Sequence, residues 1–155
     1  YLLVVLAIAI LFSGCGKNEL KRVIEDHFNA LNRHDIKALV AGYDPKVEVT
    51  SSGWEGIHNG TAEVSAAYSK YFHSSPDLKY DVGNVYFSGD SIITVEYTAS
   101  GTMKNPEGLP AYMLGKRYIL NYCAIFTVKK GRITKEASYF DQVSFLNQMG
   151  FFEQK

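Results

Sequence analysis

Apolar side chains at Leu20, Val23, Ile24, Phe28 and Leu31 recur at helical spacing and predict an amphipathic helix over 19–32, with Asn18 able to cap it. His27 falls on the same stripe, where a histidine reads first as a packed core residue. Asp35 is placed to cap a second short helix with Leu39 and Val40 inward and Gly42 near its end, and Asp44-Pro45 then predicts a turn. Lys46 to Thr50 alternates like a strand, and SSGWEGIHNG (51–60) reads as a glycine-rich loop. Val64, Ala67, Tyr68, Tyr71 and Phe72 mark a third helix that Ser75-Pro76 ends.

Beyond Leu78 the period changes to two. Four consecutive strands are predicted over 78–87, 91–103, 115–129 and 132–140, with tight turns at Ser88-Gly89-Asp90 and Lys129-Lys130-Gly131. In the third of these, Tyr118, Leu120, Tyr122, Ala124, Phe126 and Val128 share one face. In the fourth, the expected set is Ile133, Ala137, Tyr139 and Asp141. Helices followed by a long antiparallel meander make an α+β plan, in which a curved sheet wraps three helices and leaves a hollow open at one end. A short C-terminal helix follows from Val143, Leu146 and Met149, with Gly150 to stop it.

The first residues change the picture of where such a domain works. YLLVVLAIAILF (1–12) has no polar group but the Tyr1 hydroxyl, and at about 1.5 Å per residue it is too short to cross a hydrocarbon core of about 30 Å. It reads as the apolar part of an export signal. Phe12-Ser13-Gly14-Cys15 resembles a bacterial lipobox, with the customary leucine one place early at Leu11. The expected organisation is therefore a signal peptide and lipidated cysteine over 1–15, a tether over 16–18 and one domain over 19–155. The product would be a lipoprotein held on the extracytoplasmic side of a membrane by its acyl chains. An ordinary signal peptide and a truncated membrane helix are the alternatives. Cys123 is then left without a partner, and with Ile119 and Ile125 in its strand it reads as a small buried apolar residue.

Composition removes several classes of function. Lys plus Arg number 16, as do Asp plus Glu, and the signs are interleaved, so no basic field exists for nucleic acid. The histidines have no local metal-ligand spacing, and no metal is expected. The 11 Tyr, 9 Phe and 1 Trp suit a core or a cavity with amphipathic walls, and for a cavity a small apolar molecule is the expected partner.

Several pieces, in order, resemble the SnoaL-like branch of the nuclear transport factor 2-like superfamily, which includes polyketide (ester) cyclases. They are Tyr43-Asp44-Pro45, Gly60-Thr61-Ala62-Glu63-Val64, Tyr71-Phe72 with Pro76-Asp77-Leu78, Ser88-Gly89-Asp90, Ser100-Gly101-Thr102, Gly115-Lys116-Arg117, Gly131-Arg132-Ile133 and Tyr139-Phe140-Asp141-Gln142. The resemblance runs from about Glu19 to Gly150. It implies a cone-shaped fold around an apolar pocket, a homodimer through the outer sheet face, and cofactor-independent acid–base chemistry. In that chemistry a strand-end aspartate shuttles a proton during an intramolecular aldol closure. The matching position is Asp141, and the histidine that assists in the characterised type falls on Ala124.

Asp141 thus has two readings. An acid–base carboxyl needs desolvation or a nearby negative charge to hold a proton at working pH, and Tyr122, Tyr139 and Phe140 are the expected apolar neighbours. A helix cap needs only the free N–H groups of the turn that follows. Tyr43, Trp54, His58, Tyr122 and Tyr139 are the candidate ligand contacts, with Trp54 and His58 at the mouth and Tyr122 or Tyr139 orienting a carbonyl. The alternative is a non-catalytic binding or assembly domain of the same shape.

Overall fold

The computed structural model describes residues 13–53, 55–105 and 108–153. In chain order these form α1 (Ser13–Asn32), α2 (Ile36–Ala41), β1 (Tyr43–Ser51), β2 (Ile57–Asn59), α3 (Gly60–Ser74), β3 (Lys79–Ser88), β4 (Ile92–Thr102), β5 (Arg117–Lys129), β6 (Arg132–Phe140) and α4 (Gln142–Gln148), with 3-10 turns at Ala111–Met113 and Phe151–Glu153. The expectations at residues 1–12 and at Trp54 lie outside the described residues, and of the Cys15 side chain nothing is described. None of the described helices is long and apolar enough to cross a membrane.

The expected α+β plan is present. The six strands form one sheet in the order β2-β1-β6-β5-β4-β3, parallel only between β1 and β6, and β2 and β3 do not meet to close it. The predicted apolar stripes of α1 and α3 pack on its concave face, burying Leu20, Ile24, Phe28 and Leu31 from one helix and Val64, Tyr68 and Phe72 from the other. Asp35 caps α2 by accepting a hydrogen bond from the Ala38 N–H at 2.9 Å. The inward face of β5 is the predicted one, with Tyr118, Leu120, Ala124, Phe126 and Val128 buried.

Four details differ from the expectation. Helix α1 starts at Ser13, so Gly16-Lys17-Asn18 lie within it and Asn18 is not its cap. Asp44-Pro45 is not a turn ahead of the strand but lies within β1. It sits in a register shift of β1 between Tyr43 and Glu48, where the Asp44 carboxylate accepts from the Lys46 N–H at 2.9 Å. The glycine-rich stretch is not all loop, because Ile57–Asn59 pair with β1 as a short edge strand. Cys123 is half-exposed on the outer sheet face, as strand parity demands once Tyr122 and Ala124 point inward.

The fourth strand carries the consequential difference. Between the pairs Val128↔Ile133 and Thr127↔Lys135, β6 advances two residues while β5 advances one. Thr134 is the extra residue of a β-bulge, and its hydroxyl donates back to the Thr127 carbonyl at 3.2 Å. A bulge exchanges the two faces of everything after it. Ile133 is buried as predicted, but beyond it Glu136, Ser138 and Phe140 turn inward, whereas Ala137 and Tyr139 turn away from the hollow.

Candidate functional site

The hollow of the cone is a cavity of about 360 Å³. Its wall is built by the inward faces of β3, β4, β5 and β6, by the C-terminal half of α3 and by Phe145 and Leu146 of α4. Six tyrosines line it: Tyr68, Tyr71, Tyr80, Tyr97, Tyr118 and Tyr122. Leu78, Ala99, Met103, Leu120 and Phe140 supply apolar surface, and Gly53, Leu109 and Gln142 lie at exposed positions of the rim. Tyr97 stacks on Tyr122 at 4.9 Å, and Tyr122 leans on Phe140 at 4.7 Å, so one side of the wall is a ladder of ring faces. The Tyr118 hydroxyl donates to Ser75 Oγ at 2.9 Å. A Cβ at Gly53 would come within 2.9 Å of the Tyr71 hydroxyl and 3.2 Å of the Phe140 ring, so a larger residue in the β1–β2 connection would have to push these two rings of the cavity wall aside.

Burial raises the pKa of the Tyr80, Tyr97, Tyr118 and Tyr122 phenols, so at neutral pH each is an un-ionised hydroxyl that can donate or accept. Among the described lining residues there is no Asp, Glu, His, Lys or Arg.

Directly behind this wall lies a polar cluster that sequence reasoning missed. The Glu136 side chain, 4 % exposed, receives the Tyr43 hydroxyl on Oε2 and the Tyr68 hydroxyl on Oε1 at 3.0 Å. Burial is the largest influence on this carboxyl and lifts it from 4.5 to about 7, against the opposing pull of the two phenol hydrogen bonds. Burial likewise holds both phenols well above their ordinary pKa, with the Glu136 charge adding to it. His27 packs against the far side, its ring edge-on to Tyr43 at 5.7 Å, to Phe28 and to Phe126, with Nε2 buried and unpartnered. Burial depresses His27 to about 3, so the ring is neutral.

The candidates from sequence distribute as follows. Tyr122 lines the cavity. Tyr43 does not reach it and is instead the buried donor to Glu136. Tyr139 does not contact the cavity. It is 56 % exposed on the outer face, because the Thr134 bulge reverses the alternation that had placed it inward. His58 sits on edge strand β2 opposite Val49 and is not among the lining residues.

Asp141 is the N-cap of α4. Its Oδ1 accepts from the Val143 N–H at 2.9 Å and the Ser144 N–H at 3.2 Å, and its carboxylate is exposed rather than part of the wall. Ala124, where the assisting histidine would stand, is fully buried. Among the described residues no cluster of His, Cys, Asp and Glu could hold a metal ion. One signal for the missed residue was present: counting back by two from Phe140 brings Ser138 and Glu136 inward, but Tyr139 offered an equally aromatic alternative.

Residues 24–136 match the family profile of the SnoaL-like domain. Among solved structures, the fold is similar to that of a proposed SnoaL-like polyketide cyclase from Jannaschia sp. CCS1, with a TM-score of 0.75 at 15% identity over 85% of this chain and 92% of that one. It is likewise similar to a proposed polyketide cyclase from Xanthomonas campestris pv. campestris, with a TM-score of 0.73 at 21% identity over 86% and 98% of the two chains. An LEH-like epoxide hydrolase from M. tuberculosis shares it too, with a TM-score of 0.68 at 18% identity over 85% and 90%. No curated protein matches the chain. At these identities the likeness is one of fold, and fold leaves chemistry open.

Proposed function

Because the chain belongs to the SnoaL-like domain family, we infer that its cavity binds one neutral, mostly apolar molecule bearing a carbonyl or hydroxyl group. The observation that carries this reading is the wall itself: six phenols set in apolar surface, with no ionisable acid, base or cation among its described residues. A charged ligand would be desolvated there without a counter-charge, at a cost of several kcal/mol. A carbonyl oxygen, by contrast, finds donors on several sides, and an aromatic ring finds the Tyr97–Tyr122–Phe140 ladder.

The alternative reading is a cofactor-independent cyclase or isomerase with Asp141 as the acid–base. Its support is the position of Asp141 at the end of β6. Against it stand the two backbone hydrogen bonds that engage the Asp141 carboxylate, its exposure, and an alanine at position 124. Binding is therefore the preferred function.

The lipobox-like Phe12-Ser13-Gly14-Cys15 supports tethering of the domain to a membrane outside the cytoplasm. The start of α1 lies at the closed end of the cone: a Cβ on Gly16 would sit 3.7 Å from Asp90 in the β3–β4 turn, and one on Gly131 would meet the Glu19 carboxylate. The cavity lies at the other end of β4, beside Ala99 and Met103. In a tethered protein the mouth would face away from the membrane, and ligand would arrive from water. Exposed Ile119, Ile125 and Tyr139 on the outer sheet face support pairing of two copies there.

The test is a thermal-shift comparison of neutral aromatic ketones with carboxylates of the same ring system, repeated on Ala99→Phe, which fills the cavity from a buried position on β4. Ketones should raise Tm in the parent and lose at least tenfold in affinity in the variant. Equal stabilisation by the carboxylates, or undiminished binding to Ala99→Phe, would remove this assignment.

A further inference from the structure

Glu136 gathers the titratable groups of the core around one carboxyl. Tyr43 from β1 and Tyr68 from α3 donate to its two oxygens, and the two hydroxyls lie close enough to influence each other. Tyr97 from β4 and Tyr80 from β3 face it more distantly, and neutral His27 from α1 stands behind Tyr43. None of the ion pairs among the described residues involves it. Of the two phenols bonded to it, Tyr68 lines the cavity and Tyr43 does not.

Counting protons gives this arrangement two states. An ionised carboxylate can only accept, and each phenol has a single O–H. With Glu136 ionised, the protons of Tyr43 and Tyr68 are both held inside the cluster, and Tyr68 offers the cavity only lone pairs. With Glu136 protonated, the arrangement that serves a ligand acceptor keeps Oε2 accepting from Tyr43 and puts the acid proton on Oε1, pointing at the Tyr68 oxygen. The Tyr68 O–H is then released from the carboxyl: without ligand it can rest on the Tyr43 oxygen, and a ligand carbonyl in the cavity, a stronger acceptor than a phenol, can draw it away. Only hydroxyl hydrogens move; no heavy atom has to.

We propose that Glu136 is a proton-linked selector for the cavity: protonated, it makes Tyr68 a donor to a ligand carbonyl, and ionised, it makes Tyr68 an acceptor for a ligand hydroxyl. Glu136 is thus a positioning residue that acts through Tyr68. Because burial brings the carboxyl to about 7, the exchange between the two states falls close to neutral pH. The inference rests on the cavity being a ligand site, as argued above.

Two neutral probes separate the states. Prodan (6-propionyl-2-dimethylaminonaphthalene) brings only a carbonyl acceptor, and its emission reports hydrogen bonding to that carbonyl; 2-naphthol brings an O–H. Each is titrated by fluorescence into the full chain at about pH 5.5 and about pH 8.5, on either side of the carboxyl's midpoint. Prodan is expected to bind about fivefold tighter at the lower pH, with red-shifted emission, the size of effect one net hydrogen bond gives. The preference of 2-naphthol runs the other way. Glu136→Gln cannot ionise, and its amide can donate to Tyr68, so Prodan binding should hold at the tight level at both pH values. Tyr68→Phe should hold it at the weak level.

A Prodan affinity in the parent that changes less than twofold with pH, or a pH effect that survives in Glu136→Gln, would overturn the selector while leaving the binding site intact. Absence of binding by both probes at both pH values would overturn the binding site, and the selector with it. An infrared reading without ligand guards against a variant that fails to fold. The parent should show a protonated-carboxyl stretch at the lower pH that disappears at the higher, and its absence at the lower pH also overturns the proposal.

Discussion

Glu136 and Asp141 stand near the two ends of one short stretch, the second half of β6 and the start of α4, and both carry a carboxyl. Glu136 is buried, held between two phenols and lifted to about 7 by the loss of water around it. Asp141 stays in solvent and accepts from two backbone N–H groups of the helix it starts. The difference lies wholly in environment. A strand that runs under a cavity desolvates the side chains it turns inward, while its last residue, emerging at the rim, meets a helix terminus that needs an acceptor. Position at a strand end, which made Asp141 the natural acid–base candidate, is thus also the position best suited to capping. The carboxyl with a proton available near neutral pH is the one hidden behind the wall.

Removing the inner carboxyl should have the largest effect. Glu136→Ala leaves the Tyr43 and Tyr68 hydroxyls without their acceptor and opens a void, and should cost about 4 kcal/mol in urea unfolding, whereas Glu136→Gln should cost about 1. A loss under about 1 kcal/mol for alanine would show that the cluster is not held together by this carboxyl.

The pH dependence follows from two opposed groups. Glu136 titrates at about 7 when folded against an ordinary 4.5. Between those values the folded state keeps a proton that the unfolded chain has released, so stability falls as pH rises, by about 3 kcal/mol in all. His27 titrates at about 3 when folded against an ordinary 6.5. Over that range the unfolded chain binds the extra proton, so stability falls as pH drops. The slopes cancel in the overlap, leaving a plateau from roughly pH 4.5 to 6.5 with a decline on the acid side. Replacing His27 by Phe, a ring suited to its aromatic surroundings, should unmask the Glu136 slope: urea midpoints should then fall steadily from about pH 4.5 to 7. Midpoints that stay level in that variant would contradict the raised carboxyl.

At the rim the effects shrink. Asp141→Ala should cost about 1 kcal/mol through the lost cap, and Asp141→Asn close to nothing, since asparagine also caps. Neither should alter Prodan affinity beyond twofold. A tenfold change from the asparagine variant would return Asp141 to the site.

Much of this molecule could be read before any coordinates. The stripes on α1 and α3, the Asp35 cap, the period-two strands and the inward face of β5 are all set by side chains a few positions apart, and each formed as the pattern predicts. The face of β6 could not be read past Thr134, because one bulged residue reverses the alternation and leaves little local mark. The register shift at Asp44-Pro45 hides in the same way: a turn and a strand coexist where a sequence pattern offers a choice between them.

The sequence by itself determined a tyrosine-rich α+β domain with Asp141 ready to cap the helix that follows it, since periodicity, caps and turns act over a few residues. Only the tertiary structure decided that Glu136 would meet Tyr43 and Tyr68, partners 93 and 68 positions away. Which side chains converge behind a cavity depends on strand register and sheet curvature summed over the whole chain. Desolvation, the influence that makes Glu136 unlike Asp141, exists only once that sheet has packed against the helices.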